Sequence, residues 1–286
     1  MTKEQVYKSA GLTRQGYFKL LQLAEQWHLK EQAALEQVRK FRIHQTRSGA
    51  RVMHQLLKIE SMGINKFERL VSENQLGAKI KSKYIRTTQG THEEEDQNLL
   101  YGFELTGINQ VFVGDITYFH AENNKVFYIF TLKDAYSKFI VGLDGFENMY
   151  AQNALTVLEQ LIACRGKENL KGAIHHTDGG GQYRADIYKE RLAKCEMIRS
   201  ISMNCLENGI AEQLNFIIKD HQLSHYKITT VSSLKQALAK VKHYLNYIRP
   251  VKGLGYRTPY EYEQWIAPMK IDERPKQTLY DFSKDK

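Results

Sequence analysis

Proline is scarce in this chain, with four residues in 286, and glycine is ordinary at nineteen. Those counts exclude a collagen-like or low-complexity protein. The three cysteines, Cys164, Cys195 and Cys205, are far apart and odd in number. They match neither a disulfide framework nor a zinc-ligand spacing, so reduced thiols in a cytosolic setting are expected. No apolar run is long enough to span a bilayer and the first residues do not read as a signal peptide, so no membrane partner is expected. What the chain does have is apolar residues and positive charge. Hydrophobic residues make up 42%, enough for a sizeable core and too many for wholesale disorder. Lys plus Arg number 41 against 32 acids, a formal charge of +9. Such an excess favours an anionic partner, of which nucleic acid is the commonest.

The basic front third, residues 1–86, reads as an all-α region. Residues 3–26 suggest two short helices around Gly11, the second capped by Thr13 and carrying Tyr17, Phe18, Leu20, Leu21 and Ala24. A helix, a glycine-containing turn and a second helix make a helix-turn-helix pattern, which is as often structural as DNA-binding. Residues 30–44 read as a further amphipathic helix. Ser48 is a candidate cap for a helix with Val52, Leu56, Leu57 and Ile59, and Asn65 for one with Phe67, Leu70 and Val71. This second helix-turn-helix candidate is the better one, because Lys79, Lys81, Lys83 and Arg86 follow it and suit phosphate contacts. A helical bundle with a solvated cationic face is the plain alternative. Residues 87–106 read as a linker, opening on the acidic, aperiodic stretch TTQGTHEEEDQN.

In residues 107–266 the pattern changes to strands. Val111–Tyr118, Val126–Leu132 and Phe139–Leu143 follow one another through short connections, which implies an antiparallel meander. Helical periodicity over Ala151–Cys164, a strand at Ala173–Thr177, a helix at Ile187–Cys195, a strand at Ile198–Met203 and helices at Ala211–Leu223 and Ser232–Tyr247 complete the unit. The expected fold is α/β, a mixed five-stranded sheet flanked by helices. Residues 267–286 read as a C-terminal tail.

Three acids stand out against this frame. Asp115 interrupts the apolar run VFVGDITY, where a carboxylate is costly unless paired or bound to metal. Asp178 ends the fourth strand, in HHTDGGGQY, and Glu212 opens a helix. Strand ends of one sheet and a helix beside them can bring three such groups together. Clustered carboxylates stay ionised only with cations between them, and oxygen donors suit Mg²⁺ first and Mn²⁺ second. Two such ions roughly 4 Å apart would serve phosphodiester cleavage. Lys219, seven residues after Glu212 on the same helix face, would stand beside a DNA phosphate. Taken singly, Asp115 reads as a capped strand-end acid, the glycine run after Asp178 as a flexible turn and Lys219 as a surface lysine. His176 reads equally as a ligand-orienting group or a strand cap. Glu207 competes with Glu212, but precedes the candidate cap Asn208.

At these residues the chain resembles the DDE transposases of insertion sequences whose second reading frame, OrfB, carries catalysis, and more distantly the retroviral integrase core. The matching motifs are GDITY at 114–118, LKDAYSKFIVG at 132–142, HTDGGGQY at 176–183, ENGIAE at 207–212, and NYIR at 246–249 with LGYRTP at 254–259. The resemblance covers residues 40–265. It implies a ribonuclease H-like fold with Asp115, Asp178 and Glu212 as catalytic residues and metal ligands. It implies Mg²⁺-dependent cleavage at element ends and strand transfer by the freed 3′-hydroxyl, with Arg249 of the closing motif on DNA. The implied partners are double-stranded DNA, further copies of the chain and an upstream-frame DNA-binding protein or fusion. The implied setting is a bacterial cytoplasm, at the nucleoid. The chain departs from the family pattern in a shorter segment over Ser202–Leu206, Glu207 for Asp, His221 for an acid and Val251 for His. A DNA-binding protein without catalysis and a ribonuclease H-like nuclease are the alternatives.

Overall fold

The computed structural model describes residues 9, 11–45, 48–78, 97–202 and 209–280. It divides into two compact units, Met1–Ile80 and Lys81–Lys286. Lys79, Lys81, Lys83, Arg86, Cys205, Glu207 and Asn208, and most of the helix expected before Gly11, lie outside the described residues.

In the front unit, α1 runs without a break over Arg14–His44, where two helices were expected. Neither glycine nor proline stands between Glu25 and Lys30 to end the first, so the backbone hydrogen bonds continue. Thr13 caps it as anticipated, its Oγ1 accepting from the Gly16 amide at 3.1 Å. α2 (Ala50–Leu56) and α3 (Ile64–Glu73) begin at Gly49 and Gly63, not at Ser48 and Asn65. The expected caps are occupied otherwise: Ser48 is buried against Gln45, and Asn65 Oδ1 accepts from Arg51 at 3.1 Å. Leu35 and Val38 of α1 meet Met53 of α2 and Phe67 and Val71 of α3 in one small core.

The second unit is built on β1 (Val111–His120), β2 (Val126–Asp134), β3 (Ile140–Phe146), β4 (Ile174–Thr177) and β5 (Ile198–Ile201). They form one sheet in the order β3-β2-β1-β4-β5. The turns at Ala121–Lys125 and Ala135–Phe139 are too short for a crossover, so β1, β2 and β3 run antiparallel. Helical connections instead bring β4 parallel to β1 and β5 parallel to β4. α4 (Ala151–Arg165) and α5 (Asp186–Lys194) cover one face, packing Leu158, Leu161, Tyr188 and Leu192 on Phe112, Phe130 and Leu132. α6 (Gly209–Phe216) and α7 (Val231–Tyr247) cover the other, packing Leu214, Leu234 and Leu238 on Phe127, Ile129 and Leu143. This is the ribonuclease H-like arrangement.

β3 has helices tight on both faces, and two glycines make that possible. A Cβ at Gly142 would lie 2.6 Å from Val157 of α4, and one at Gly145 would lie 2.5 Å from Leu234 of α7. The helix expected over Ala211–Leu223 is shorter in its α form: after Phe216 the backbone widens into a π-helix over Ile217–Gln222. α7 is capped by Thr230 through a capping box with Ser233, two residues ahead of the expected Ser232. Segments read as linker and tail are also part of the packing. Glu104–Leu105 pairs antiparallel with Gln277–Thr278, and Leu100, Leu105 and Leu279 are buried beside α8 (Pro259–Ile266). Among the described residues no helix is long and apolar enough to cross a membrane.

Candidate active site

Side chains alternate along β1. Phe112 turns to the α4 face, while Val111, Val113, Asp115 and Thr117 share the opposite one, where α6 packs. Asp115 stands level with Thr131 of β2. On the other side, Val111 of β1 is opposite Ile174 of β4, an offset of 174 − 111 = 63. Asp178 follows Asp115 by the same interval, 178 − 115 = 63, so the two carboxylates leave neighbouring parallel strands at one level. Gly179 then turns the chain at φ +71°, with Ile201 so close that a Cβ would meet it at 2.6 Å. Glu212 lies in the first turn of α6, exposed, with Ala211 and Leu214 buried beneath it.

Asp115 feels the other two acids. Burial, then Asp178, then Glu212 push the Asp115 carboxyl up to about 8, against the opposing pull of the Ile116 backbone and the Asn215 side chain. Asn215 Nδ2 donates to Asp115 Oδ2 at 2.6 Å. Thr131 Oγ1 lies 3.3 Å from the Asp115 carbonyl and 3.4 Å from Asn215 Oδ1. Asn215 was not foreseen; its signal was the i+4 spacing from Ala211, which places it on the buried side of the same helix. Tyr183 was not foreseen either. Its hydroxyl is raised well above the ordinary range by burial, with Tyr188, Asp178 and Asp115 adding to the effect.

Lys219 reaches the same face, four residues beyond Asn215. Its Nζ donates to Thr117 Oγ1 at 2.6 Å. Burial lowers its pKa, while Asp220 and Asp115 draw it back up. His176 is fully buried, its Nδ1 2.9 Å from Ser200 Oγ in β5. Arg249 follows the end of α7, partly buried, and desolvation lowers its pKa.

The donors are carboxylate oxygens backed by an amide, a set suited to a hard divalent cation. The raised Asp115 pKa is what such a cation would relieve. Among the described residues no three His, Cys, Asp or Glu side chains are grouped closely enough to hold a metal ion as they stand. Like charges repel, which keeps such carboxylates apart until a cation stands between them, and Asp178 and Glu212 are both exposed.

Residues 106–203 match the family model of the integrase core domain. The chain is 29% identical over 243 residues to an uncharacterized 31 kDa protein of insertion element IS600 from Shigella sonnei, covering 82% of this chain and 87% of that one. It is 28% identical over 205 residues to a putative transposase of the element IS986/IS6110 from Mycobacterium tuberculosis, covering 68% and 73%. A transposase of the element IS904 from Lactococcus lactis is 25% identical over 233 residues, covering 79% and 90%. The HTLV-2 integrase catalytic core, solved with magnesium, superposes with a TM-score of 0.45 at 16% identity over 58% of this chain and 99% of that one. Residues 106–203 thus match an integrase core, and over most of its length the chain is similar to proteins of insertion elements, transposases among them.

Proposed function

We propose that the chain is the catalytic subunit of a DNA transposase, cleaving the ends of its insertion element and joining the freed 3′-hydroxyl to target DNA. The observation that carries the proposal is the placement of Asp115 in β1 and of Asp178 just past the end of the adjacent parallel strand β4, with Glu212 on the helix packed over Asp115. Asp115, Asp178 and Glu212 would hold Mg²⁺, or Mn²⁺ in its place. When bound, such cations supply Lewis-acid chemistry, activating an attacking oxygen and offsetting charge on the leaving one.

The protein's own groups do the rest. Asn215 holds one Asp115 oxygen by its amide. Lys219, fixed on Thr117 two residues past Asp115, offers an ammonium to the DNA phosphate entering the site. Water, and then the 3′-hydroxyl, attack phosphorus in line with the leaving oxygen. Double-stranded DNA is the proposed partner, gripped by the basic tract Lys79, Lys81, Lys83 and Arg86, with Arg249 a further contact. Several copies would assemble on paired ends, in the cytoplasm at the nucleoid, with or without an upstream-frame protein.

The test is cleavage of DNA carrying the repeats that flank the coding region, with Mg²⁺ present. Asp115→Ala is expected to abolish cleavage while leaving DNA binding. Undiminished cleavage by this variant would overturn the assignment. Binding without cleavage by the wild-type chain would replace it with a DNA-binding protein that occupies element ends.

A further inference from the structure

We infer that Lys133 is a positioning residue, seating the first turn of the helix that carries Glu212. The inference rests on the reading of Glu212 as an acid of the site. Lys133 lies in β2 opposite Val113, two residues from the Asp115–Thr131 pair and so on the same face of the sheet. It is 5% exposed, and its Nζ donates to the Ile210 carbonyl at 3.0 Å. β2 thereby holds α6 at two points: Lys133 at Ile210 in its first turn, and Thr131 at Asn215 in its second. Glu212 sits between them.

Packing alone does not explain a lysine here. The other inward residues of this strand are the apolar Phe127 and Ile129 and the uncharged Thr131, and a buried ammonium is costly. Helix electrostatics do not explain it either, because a cation under a helix N-terminus opposes the dipole. Burial, and to a lesser degree Lys138, hold the Lys133 pKa down to about 7, and no carboxylate offsets this. What the ammonium supplies is a strong, directional hydrogen bond to the one carbonyl that sets the height of the Glu212 turn above Asp115.

Three proteins decide the matter: wild type, Lys133→Met, which keeps length without a donor, and Lys133→Gln, which keeps a shorter donor. Amide hydrogen exchange is followed over residues 211–216 without metal, and Mg²⁺ binding by thermal shift. Lys133→Met is expected to melt no lower than wild type, yet to exchange about tenfold faster in that segment, the size of one charge-assisted hydrogen bond. Its half-saturating Mg²⁺ should rise several-fold, with Lys133→Gln between the two. Exchange at the wild-type rate in both variants would overturn the inference. So would faster exchange together with a lower melting temperature and half-saturating Mg²⁺ unchanged, the mark of a packing role. If Lys133→Met fails to fold, Lys133→Gln against wild type carries the exchange comparison. If Mg²⁺ fails to stabilise even the wild type, the metal-site reading fails, while the exchange arm still decides whether Lys133 seats the helix.

Discussion

The sharpest test of the acid cluster is a change that should stabilise the protein while disabling it. The Asp115 carboxyl is held at about 8 against an ordinary 3.8. In the unfolded chain it ionises near its ordinary value, so the folded state binds this proton more tightly and loses stability as pH rises from 3.8 to 8. The loss runs at about 1.4 kcal/mol per pH unit, on the order of 4 kcal/mol by pH 7. Asp115→Asn keeps the shape and an oxygen for the Asn215 amide but cannot ionise. In EDTA at pH 7 it should be more stable than wild type by a few kcal/mol, several degrees in melting temperature. The advantage should shrink as pH falls toward 4. His175, held down to about 4 by burial, loses stability in the opposite sense as pH falls through 6.5, but it is common to both proteins and cancels in the difference. Mg²⁺ should then raise the melting temperature of the wild type and leave Asp115→Asn unmoved. A variant no more stable than wild type at pH 7, or a gap that persists at pH 4, would refute the electrostatic reasoning.

Three further outcomes are expected. Gly142→Val places a Cβ 2.6 Å from Val157 Cγ1 and 2.7 Å from its carbonyl oxygen, and backbone cannot yield cheaply, so urea unfolding should show a loss of roughly 3 kcal/mol. Glu263→Gln weakens the bidentate pair with Arg165, made at 2.6 and 2.9 Å with both side chains about a tenth exposed, and should lower stability by roughly 3 kcal/mol in the same assay. Lys219→Met should keep the fold but weaken element-end DNA binding and reduce the slope of log affinity against log salt by about one, as expected for one lost phosphate contact. An unchanged slope would remove Lys219 from the DNA path.

The meander of β1 to β3 was plain in the sequence because short turns between β-branched runs leave no other pairing. Asp115 drew notice because an acid in such a run is out of place, and Asp178 and Glu212 because motifs surround them. Asn215 and Lys133 gave no comparable signal. Each is a polar residue in an element whose neighbours look ordinary, and its role depends on which element packs over it. The continuity of α1 and the glycine caps of α2 and α3 were misread for a related reason: caps and breaks are decided by which side chain is already engaged elsewhere, as Ser48 is with Gln45 and Asn65 with Arg51.

Charge balance, strand and helix periodicity and the order of the three acids are local properties, carried by composition and by side chains a few residues apart. They sufficed for the fold class and for Asp115, Asp178 and Glu212 as candidates. The register that brings Asp178 level with Asp115, the grip of Lys133 on the Glu212 helix and the hold of Asn215 on Asp115 are long-range. They join residues 63 to 100 positions apart, set by how the strands slide and the helices dock. That choice is made by the packing of the whole core, so only the folded chain contains it.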